Sequence, residues 1–324
     1  MKIQNSPYFS IAIPAYKAKF LKKCIDSILG QTYTDFELII VNDASPENLD
    51  EIVNKYEDHR IRYYTNEKNT GAENVVDNWN ICLSYATGEY IILMGDDDEM
   101  EPDYLSEFIN LINKYPGLEV YHCRSFIINE KSERTLVTQS RAEWESIYEN
   151  IWHRINYFRW QYISDFVYRR DSLIAKGGFF KLPLAWASDD ISAYIAMQDK
   201  GIAHTNKPVF RYRRSSITIS SGGNPQLKMV ATLLEENWLK NFFKNNKPES
   251  EIDKAISTNL NEDINRYILK KKLDIIQKSL NTHTTKSVYY WLRNAKKYNI
   301  NKLLIGYALI EKMKHKKAKK DIES

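Results

Sequence analysis

The chain has 324 residues, 43% of them hydrophobic, and a formal net charge of +4, which excludes global disorder and leaves room for one large domain with an appendage. Its three cysteines, Cys24, Cys82 and Cys123, are widely spaced without a CxxC pair, which argues against a disulfide scaffold or a zinc ribbon and fits a reducing cytosol. The charge is uneven: residues 286–324 carry eleven Lys/Arg against Glu311, Asp321 and Glu323, so the remainder is net negative and a globally basic nucleic-acid binder is excluded.

The first half alternates strand and helix. Residues 8–14 (YFSIAIP) read as a buried strand, followed by Leu21, Cys24, Ile25, Ile28 and Leu29 at helical spacing up to Gly30. Residues 36–41 form a second strand. After it, Ser45 and Pro46 predict an N-cap and the first position of a helix. Residues 61–64 give a short third strand. Trp79, Leu83 and Ala86 then share a helical face that Gly88 ends before a fourth strand, 90–94. Such alternation predicts a mostly parallel sheet with helices on both faces, binding ligands beyond the carboxyl ends of its strands.

The second half is less regular. Residues 120–128, 134–138 and 209–213 predict strands, and the aromatic stretch 144–160 predicts a helix. A linker at 220–225 (SSGGNP) is followed by helical patterning in which Leu233, Trp238, Phe242, Leu269, Leu273, Ile276 and Leu280 mark amphipathic segments. This sets a boundary near residue 222. The N-terminus lacks the apolar stretch of a signal peptide, and residues 90–94 are far shorter than the ~20 residues a membrane helix needs. The expectation is a cytoplasmic protein, soluble or peripheral on the inner face of the cell membrane.

Three acidic features fall at strand ends or helix starts. Asp43, straight after the second strand, can accept a hydrogen bond from a base or a ribose, or can shape the turn. Asp96, Asp97 and Asp98 directly follow the fourth strand. Three adjacent carboxylates repel one another, and a hard divalent cation completed by substrate phosphates would relieve that repulsion; the alternative is a solvated acidic turn. Asp189 and Asp190 open a predicted helix, either as N-terminal caps or as a source of a general base. No GxGxxG follows the first strand, no GxxxxGK[ST] is present, and the six histidines show no HxxxH spacing, so a dinucleotide fingerprint, a P-loop and zinc chemistry are all disfavoured.

Taken in order, SIAIPAYK (10–17), VNDAS (41–45), NWNICLSYATGEYIILMGDDD (78–98), ASDD (187–190) and YRRSSITIS (212–220) resemble the family 2 glycosyltransferases of the GT-A fold, over roughly residues 8–220. The resemblance implies an α/β, doubly wound, mostly parallel sheet of the nucleotide-diphospho-sugar transferase type with a C-terminal helical extension. The catalytic domain would be 1–222, with a nucleotide-sugar half at about 1–100 and an acceptor half at about 101–222. Residues 223–324 would form the helical region with its basic tail.

By the same resemblance, Pro14, Ala15 and Tyr16 line the nucleotide site, Asp43 binds the base, most often uracil, and Asp96 adjoins the nucleotide. Asp97 and Asp98 hold Mn²⁺ or Mg²⁺, with Asp97 preferred, and Asp190 is the base with Asp189 before it. The implied activity is inverting transfer of a hexosyl or N-acetylhexosaminyl group. The donor is a nucleotide-diphosphate sugar, UDP-linked by this reading, and the acceptor a hydroxyl of a saccharide or lipid-linked saccharide in surface polysaccharide synthesis. The Lys-rich tail would meet an anionic membrane. A sugar nucleotidyltransferase and a non-catalytic nucleotide-sugar-binding protein are the alternatives. The chain departs from the family pattern at Gly95, where an Asp is common, at Trp79, where an Arg is common, and at Ser215, where a His is frequent. For that last place Arg211, Arg213 or Arg214 could stand in at the diphosphate.

Overall fold

The computed structural model describes residues 6–215 and 223–323, with 315–323 as backbone. It divides into two compact units, Met1–Ser221 and Gly222–Ser324.

The first unit is built on one sheet. Its strands are β1 (Phe9–Ala15), β2 (Phe36–Asn42), β3 (Ile61–Thr65), β4 (Tyr90–Leu93), β5 (Glu99–Met100), β6 (Val120–Ile128), β7 (Arg134–Val137), β8 (Trp144–Glu145), β9 (Phe166–Arg169) and β10 (Ile202–Arg213). They lie in the order β3-β2-β1-β4-β9-β6-β10-β5, with β7 beside β6 and β8 beside β10. Along that path β3, β2, β1, β4, β6 and β10 run one way, while β9 and β5 are reversed. The sheet is therefore mixed but mostly parallel. β1, β2 and β4 are buried on both faces and mostly apolar, with Ser10 Oγ donating to Glu37 at 2.7 Å as the polar exception. On one face Ile11, Ile13, Leu38, Ile40 and Ile92 cluster with Cys24, Ile25 and Ile28 of the helix Leu21–Leu29.

Pairing starts from β1 in both directions, to β2 on one side and β4 on the other. The carboxyl ends of these three strands thus meet at the point where strand order reverses, and they carry Ala15, Asn42 and Leu93 to one rim.

The sequence reading and the structure differ in instructive places. No helix begins at Pro46. Ser45 Oγ instead donates to the Tyr16 carbonyl, Asn48 Oδ1 accepts from Glu51 N at 3.2 Å, and a single helical turn starts at Asp50. The stretch 144–160 is not one helix. Trp144–Glu145 pairs with β10, Ser146 caps the helix Ile147–Ile155 in a reciprocal arrangement with Glu149, and the chain is irregular beyond it. β5 and β9 have no counterpart in the sequence reading, because two and four residues carry too little periodicity to register. Residues 216–222, which include the end of the YRRSSITIS segment and the start of the 220–225 linker, lie outside the described residues.

The second unit comprises the helices Pro225–Asn245, Glu251–Thr282, Thr284–Asn294 and Lys302–Glu323. Asn224 and Ser250 cap the first two. Met229, Ile276, Leu280, Trp291, Tyr298 and Ile305 form its core, where the Trp291 indole donates to Ser279 Oγ at 2.8 Å. Among the described residues no helix is long and apolar enough to cross a membrane.

Candidate active site

The rim at the ends of β1, β2 and β4 is stitched by Asp96. Its Oδ2 accepts from the amides of both Tyr16 and Lys17 at 2.8 Å, fixing the turn after β1 against the loop after β4. Pro14, Ala15, Tyr16 and Asp96 are thereby brought together, with Tyr16 42% exposed at the surface of the rim. Burial pushes the Asp96 carboxyl up to about 6, against the pull of Lys17.

Asp97 and Asp98 diverge. Asp98 is buried and turned back into its own loop, where its Oδ1 accepts from Arg213 N at 2.7 Å. Burial and the neighbouring Asp97 push the Asp98 carboxyl well above the ordinary range. The Asp97 carboxylate stays partly open, with the Lys17 ammonium 3.4 Å from its Oδ2. Arg213, fully buried, braces the loop from beneath. Its Nε donates to the Asp97 carbonyl at 2.6 Å, its Nη1 to the Asn129 carbonyl at 2.7 Å and its Nη2 to Glu99, and its guanidinium lies over the Phe20 ring.

The donor set is hard oxygen with excess negative charge, and one carboxylate, Asp97, is accessible. That suits a divalent cation. Among the described residues no three His, Cys, Asp or Glu side chains converge into a closed cage. A cation here would accordingly use one or two carboxylates and complete its shell with phosphate oxygens, as Mg²⁺ commonly does.

Asp43, at the end of β2, is buried and pinned by the loop that follows β3. Its Oδ1 accepts from Asn66 Nδ2 at 2.8 Å and Thr70 N at 3.0 Å, and its Oδ2 from Thr70 Oγ1 at 2.7 Å. The turn-shaping task falls to its neighbour Asn42, whose Oδ1 accepts from Ser45 N at 2.9 Å. Asp43 therefore does not hold its own turn; its carboxylate holds the loop that follows β3.

Asp189 and Asp190 occupy the first turn of the helix Ser188–Met197. Asp190 is buried. Its carboxylate accepts from Arg154 Nε at 2.9 and 3.1 Å and from Gln161 Nε2 at 2.8 Å. Asp189 is half-buried. A short segment links this place to the rim: three residues beyond Gln161, Ser164 Oγ accepts from Gly95 N at 3.2 Å. On the same segment the Trp160 ring lies 5.1 Å from the Arg214 guanidinium.

Of the three arginines proposed for the diphosphate, Arg211 is paired with Glu99 and Glu101 and Arg213 is internal. Arg214 is the exposed one. Trp79 is buried edge-on to Phe179. Lys17, Thr70, Asn66, Arg154, Gln161 and Ser164 are residues that the sequence does not single out. Lys17 lies inside a motif, and its place two residues past the strand end is its one available signal. Arg154 lies on the helix Ile147–Ile155 and Gln161 in the irregular chain beyond it, and neither belongs to a motif.

Comparison with known proteins agrees with this architecture. The chain is 35% identical over 129 residues to an uncharacterized glycosyltransferase of Rickettsia typhi, covering 39% of each chain. It is 39% identical over 110 residues to a protein of Escherichia coli named for colanic acid biosynthesis, the glycosyl transferase WcaA, covering 33% of this chain and 38% of that one. The chain therefore spans about two fifths of the length of these curated relatives. Among solved structures, Staphylococcus aureus TarS residues 1–349 in complex with UDP-GlcNAc superposes with a TM-score of 0.64 at 15% identity, covering 92% of this chain and 90% of that one. A mannosyltransferase of Pyrobaculum calidifontis in complex with GDP-Man and Mn²⁺ gives 0.54 at 15% identity, covering 94% and 86%. These two establish the GT-A fold. The family model described as glycosyl transferase family 2 matches residues 10–178, more than half of the chain, and the protein belongs to that family.

Proposed function

We propose that the chain is an inverting glycosyltransferase that moves a sugar from a nucleotide-diphosphate donor, UDP-linked, to a hydroxyl of a saccharide or lipid-linked saccharide acceptor. The observation that carries this reading is the double acceptance by Asp96 of the Tyr16 and Lys17 amides. It builds one rigid rim from the ends of β1 and β4 with Asp43 beside it, at the place where such sheets bind nucleotides.

In this reading the Met1–Ser221 unit is the catalytic domain. Pro14, Ala15 and Tyr16 line the nucleotide, and the Asp43 carboxylate, held rigid by Thr70 and Asn66, accepts from the base. Asp97 holds Mn²⁺ or Mg²⁺, with Asp98 turned inward as the support of the same loop. When bound, that cation offsets the negative charge of the diphosphate leaving group. Lys17, beside Asp97, adds a fixed positive charge to the same place, and the exposed Arg214 is the arginine available to the phosphates. Asp190 takes the proton from the acceptor hydroxyl as that oxygen attacks the anomeric carbon from the face opposite the leaving group, which inverts the configuration. A positioned base contributes roughly 10²–10⁴-fold. Orientation and charge stabilisation supply the remainder.

The names of the relatives favour surface polysaccharide synthesis, since one is named for colanic acid biosynthesis and another, in Pasteurella multocida, chondroitin synthase. For such an acceptor the helix Lys302–Glu323 is suggestive. Ile305 and Ala308 face its core, yet Leu303, Tyr307, Ile310 and Met313, spaced four, three and three residues apart, are 78, 51, 53 and 70% exposed. An exposed apolar stripe in a strongly basic segment suits an anionic membrane surface.

A thermal-shift screen of nucleotide sugars with and without Mn²⁺ tests the donor reading. A UDP-sugar that raises the melting temperature only with the metal supports it, because a ligand of the folded state alone must stabilise that state. No response to any nucleotide sugar overturns it. Release of a nucleoside diphosphate rather than pyrophosphate separates it from nucleotidyl transfer.

A further inference from the structure

Gln161 is 3% exposed, and its amide stands between two charged groups. Its Nε2 donates to Asp190 Oδ1 at 2.8 Å, and its Oε1 accepts from Arg141 Nη1 at 3.1 Å. A guanidinium only donates, so the amide has one allowed orientation, oxygen toward Arg141 and nitrogen toward Asp190. Arg141 is itself immobile. Its side chain is buried, its Nη2 donates to the Trp160 carbonyl at 3.0 Å, and its backbone exchanges two hydrogen bonds with the Asn206 side chain at 2.9 and 2.8 Å. Behind it Glu145, fully buried, lies 3.8 Å away and binds Arg159, Asn150 and His204.

We infer that Gln161 is a positioning residue for the transfer reaction, fixing the rotamer of Asp190 through a hydrogen bond that its carboxylate accepts; this rests on the reading of Asp190 as the base. The bond from Nε2 is one that the carboxylate accepts and that protonation weakens. A glutamine also passes on the orienting effect of Arg141 without placing a second full charge on Asp190. Arg154 already supplies one cation from the more open side, where its side chain is 22% exposed. A further direct ion pair would lower the basicity that proton removal requires. Tyr168 on β9 interacts with Asp190 and with Asp189 beside it on the same helix, and Asp165 interacts with Asp189.

The test uses the full chain with Gln161→Met, which keeps volume and removes both hydrogen bonds, and Gln161→Glu, which keeps shape and removes the donor. The Asp190 carboxyl carbon is followed by ¹³C NMR against pH, assigned by its loss in Asp190→Asn; no substrate is needed. In parallel, UDP release from UDP-GlcNAc with Mn²⁺ is measured against pH. In Gln161→Met the Asp190 titration midpoint moves to higher pH by about one pH unit, so UDP release falls about tenfold at pH values below both midpoints and little above them, at unchanged UDP affinity. Gln161→Glu moves it further, since two carboxyls then face each other across a hydrogen-bond distance and share a proton. An unmoved Asp190 titration in either folded variant overturns the inference. Retained UDP release in Asp190→Asn overturns the base assignment instead, and the titration still decides the role of Gln161.

Discussion

The Asp98 carboxylate lies folded over Gly95: a Cβ built on Gly95 would stand 2.6 Å from Asp98 Oδ2 and 3.4 Å from Asp97 Oδ1. This accounts for a glycine at this place. The room a side chain would need is taken by Asp98, which is held there by Arg213 N.

Gly95→Ala is expected to push Asp98 out of this position or to strain the loop. Overpacking of this kind costs roughly 1–3 kcal/mol. Urea unfolding should show that loss, together with weaker Mn²⁺-dependent nucleotide binding. Wild-type stability in Gly95→Ala would mean that Asp98 is not tightly held.

The divergence of Asp97 and Asp98 predicts different failures. Asp97→Ala should abolish the Mn²⁺-dependent part of nucleotide binding while leaving the melting temperature of the free protein nearly unchanged, because this side chain is only partly buried and its carboxylate meets Lys17 at the long distance of 3.4 Å. Asp98→Ala should lower the melting temperature, since it leaves the buried Arg213 amide without its acceptor. Isothermal titration with UDP, with and without EDTA, read beside thermal unfolding separates the two. The reverse pattern would reassign the ligand.

Asp190→Asn should keep nucleotide affinity and reduce turnover by about 10²-fold or more, because it removes proton acceptance together with the ion pair to Arg154. Asp189→Asn, at a half-buried position, should cost less. If the ranking is inverted, the base is Asp189.

The strand ends are legible in the sequence because β1, β2 and β4 are almost wholly buried and read as mostly apolar runs, interrupted at Ser10 and Glu37. Asp43, one residue past β2, and Asp96 and Asp97, shortly past β4, therefore stand out by position. The acceptor side is not legible. Arg154 reaches Asp190 across 36 residues and Gln161 across 29; Arg154 lies on the helix Ile147–Ile155 and Gln161 in the irregular chain beyond it, and helical periodicity does not name a partner that far along the chain, so their meeting depends on tertiary packing. Ser45 shows the converse: local chemistry points to a helix cap, and a long-range partner, the Tyr16 carbonyl, takes its hydroxyl instead.

The buried pair His204–Glu145 predicts acid sensitivity. Burial lowers the His204 imidazole to about 4, partly opposed by Glu145. Despite its own burial, Glu145 is held well below the usual range by His204, Arg141 and Arg159. Between about pH 4 and 6.5 the unfolded chain binds a proton at His204 that the folded chain does not, so stability rises with pH across that window and is lost on acidification. Asp165, pushed up to about 7 by burial, acts in the opposite sense. The informative quantity is therefore the difference between wild type and His204→Gln. Urea unfolding at pH 7 and pH 5 should show a smaller drop in the variant. Equal drops would mean that His204 titrates normally in the folded protein.

The last prediction concerns the helix Lys302–Glu323. Its exposed residues Leu303, Tyr307, Ile310 and Met313 line one face, whereas Ile305 and Ala308 on the other face belong to the core of the second unit. A helix apolar on both faces normally has both covered. Residues 286–324 carry eleven basic and three acidic residues, so two copies of this segment would repel each other, whereas an anionic bilayer would attract either one. Each basic residue near such a surface contributes about 1 kcal/mol, and shallow insertion of the stripe adds the burial of its apolar area. Full-length protein should co-sediment with vesicles containing anionic lipid and much less with neutral ones, and release should increase with salt as the charges are screened. A truncation after Glu311 removes six of the eleven basic residues and half of the segment's net charge, and Leu303→Glu with Tyr307→Glu disrupts the stripe while leaving the core-facing residues in place. Both should bind severalfold more weakly. Retention of wild-type sedimentation by both, or indifference to lipid charge, would assign the stripe to a protein partner rather than to a membrane.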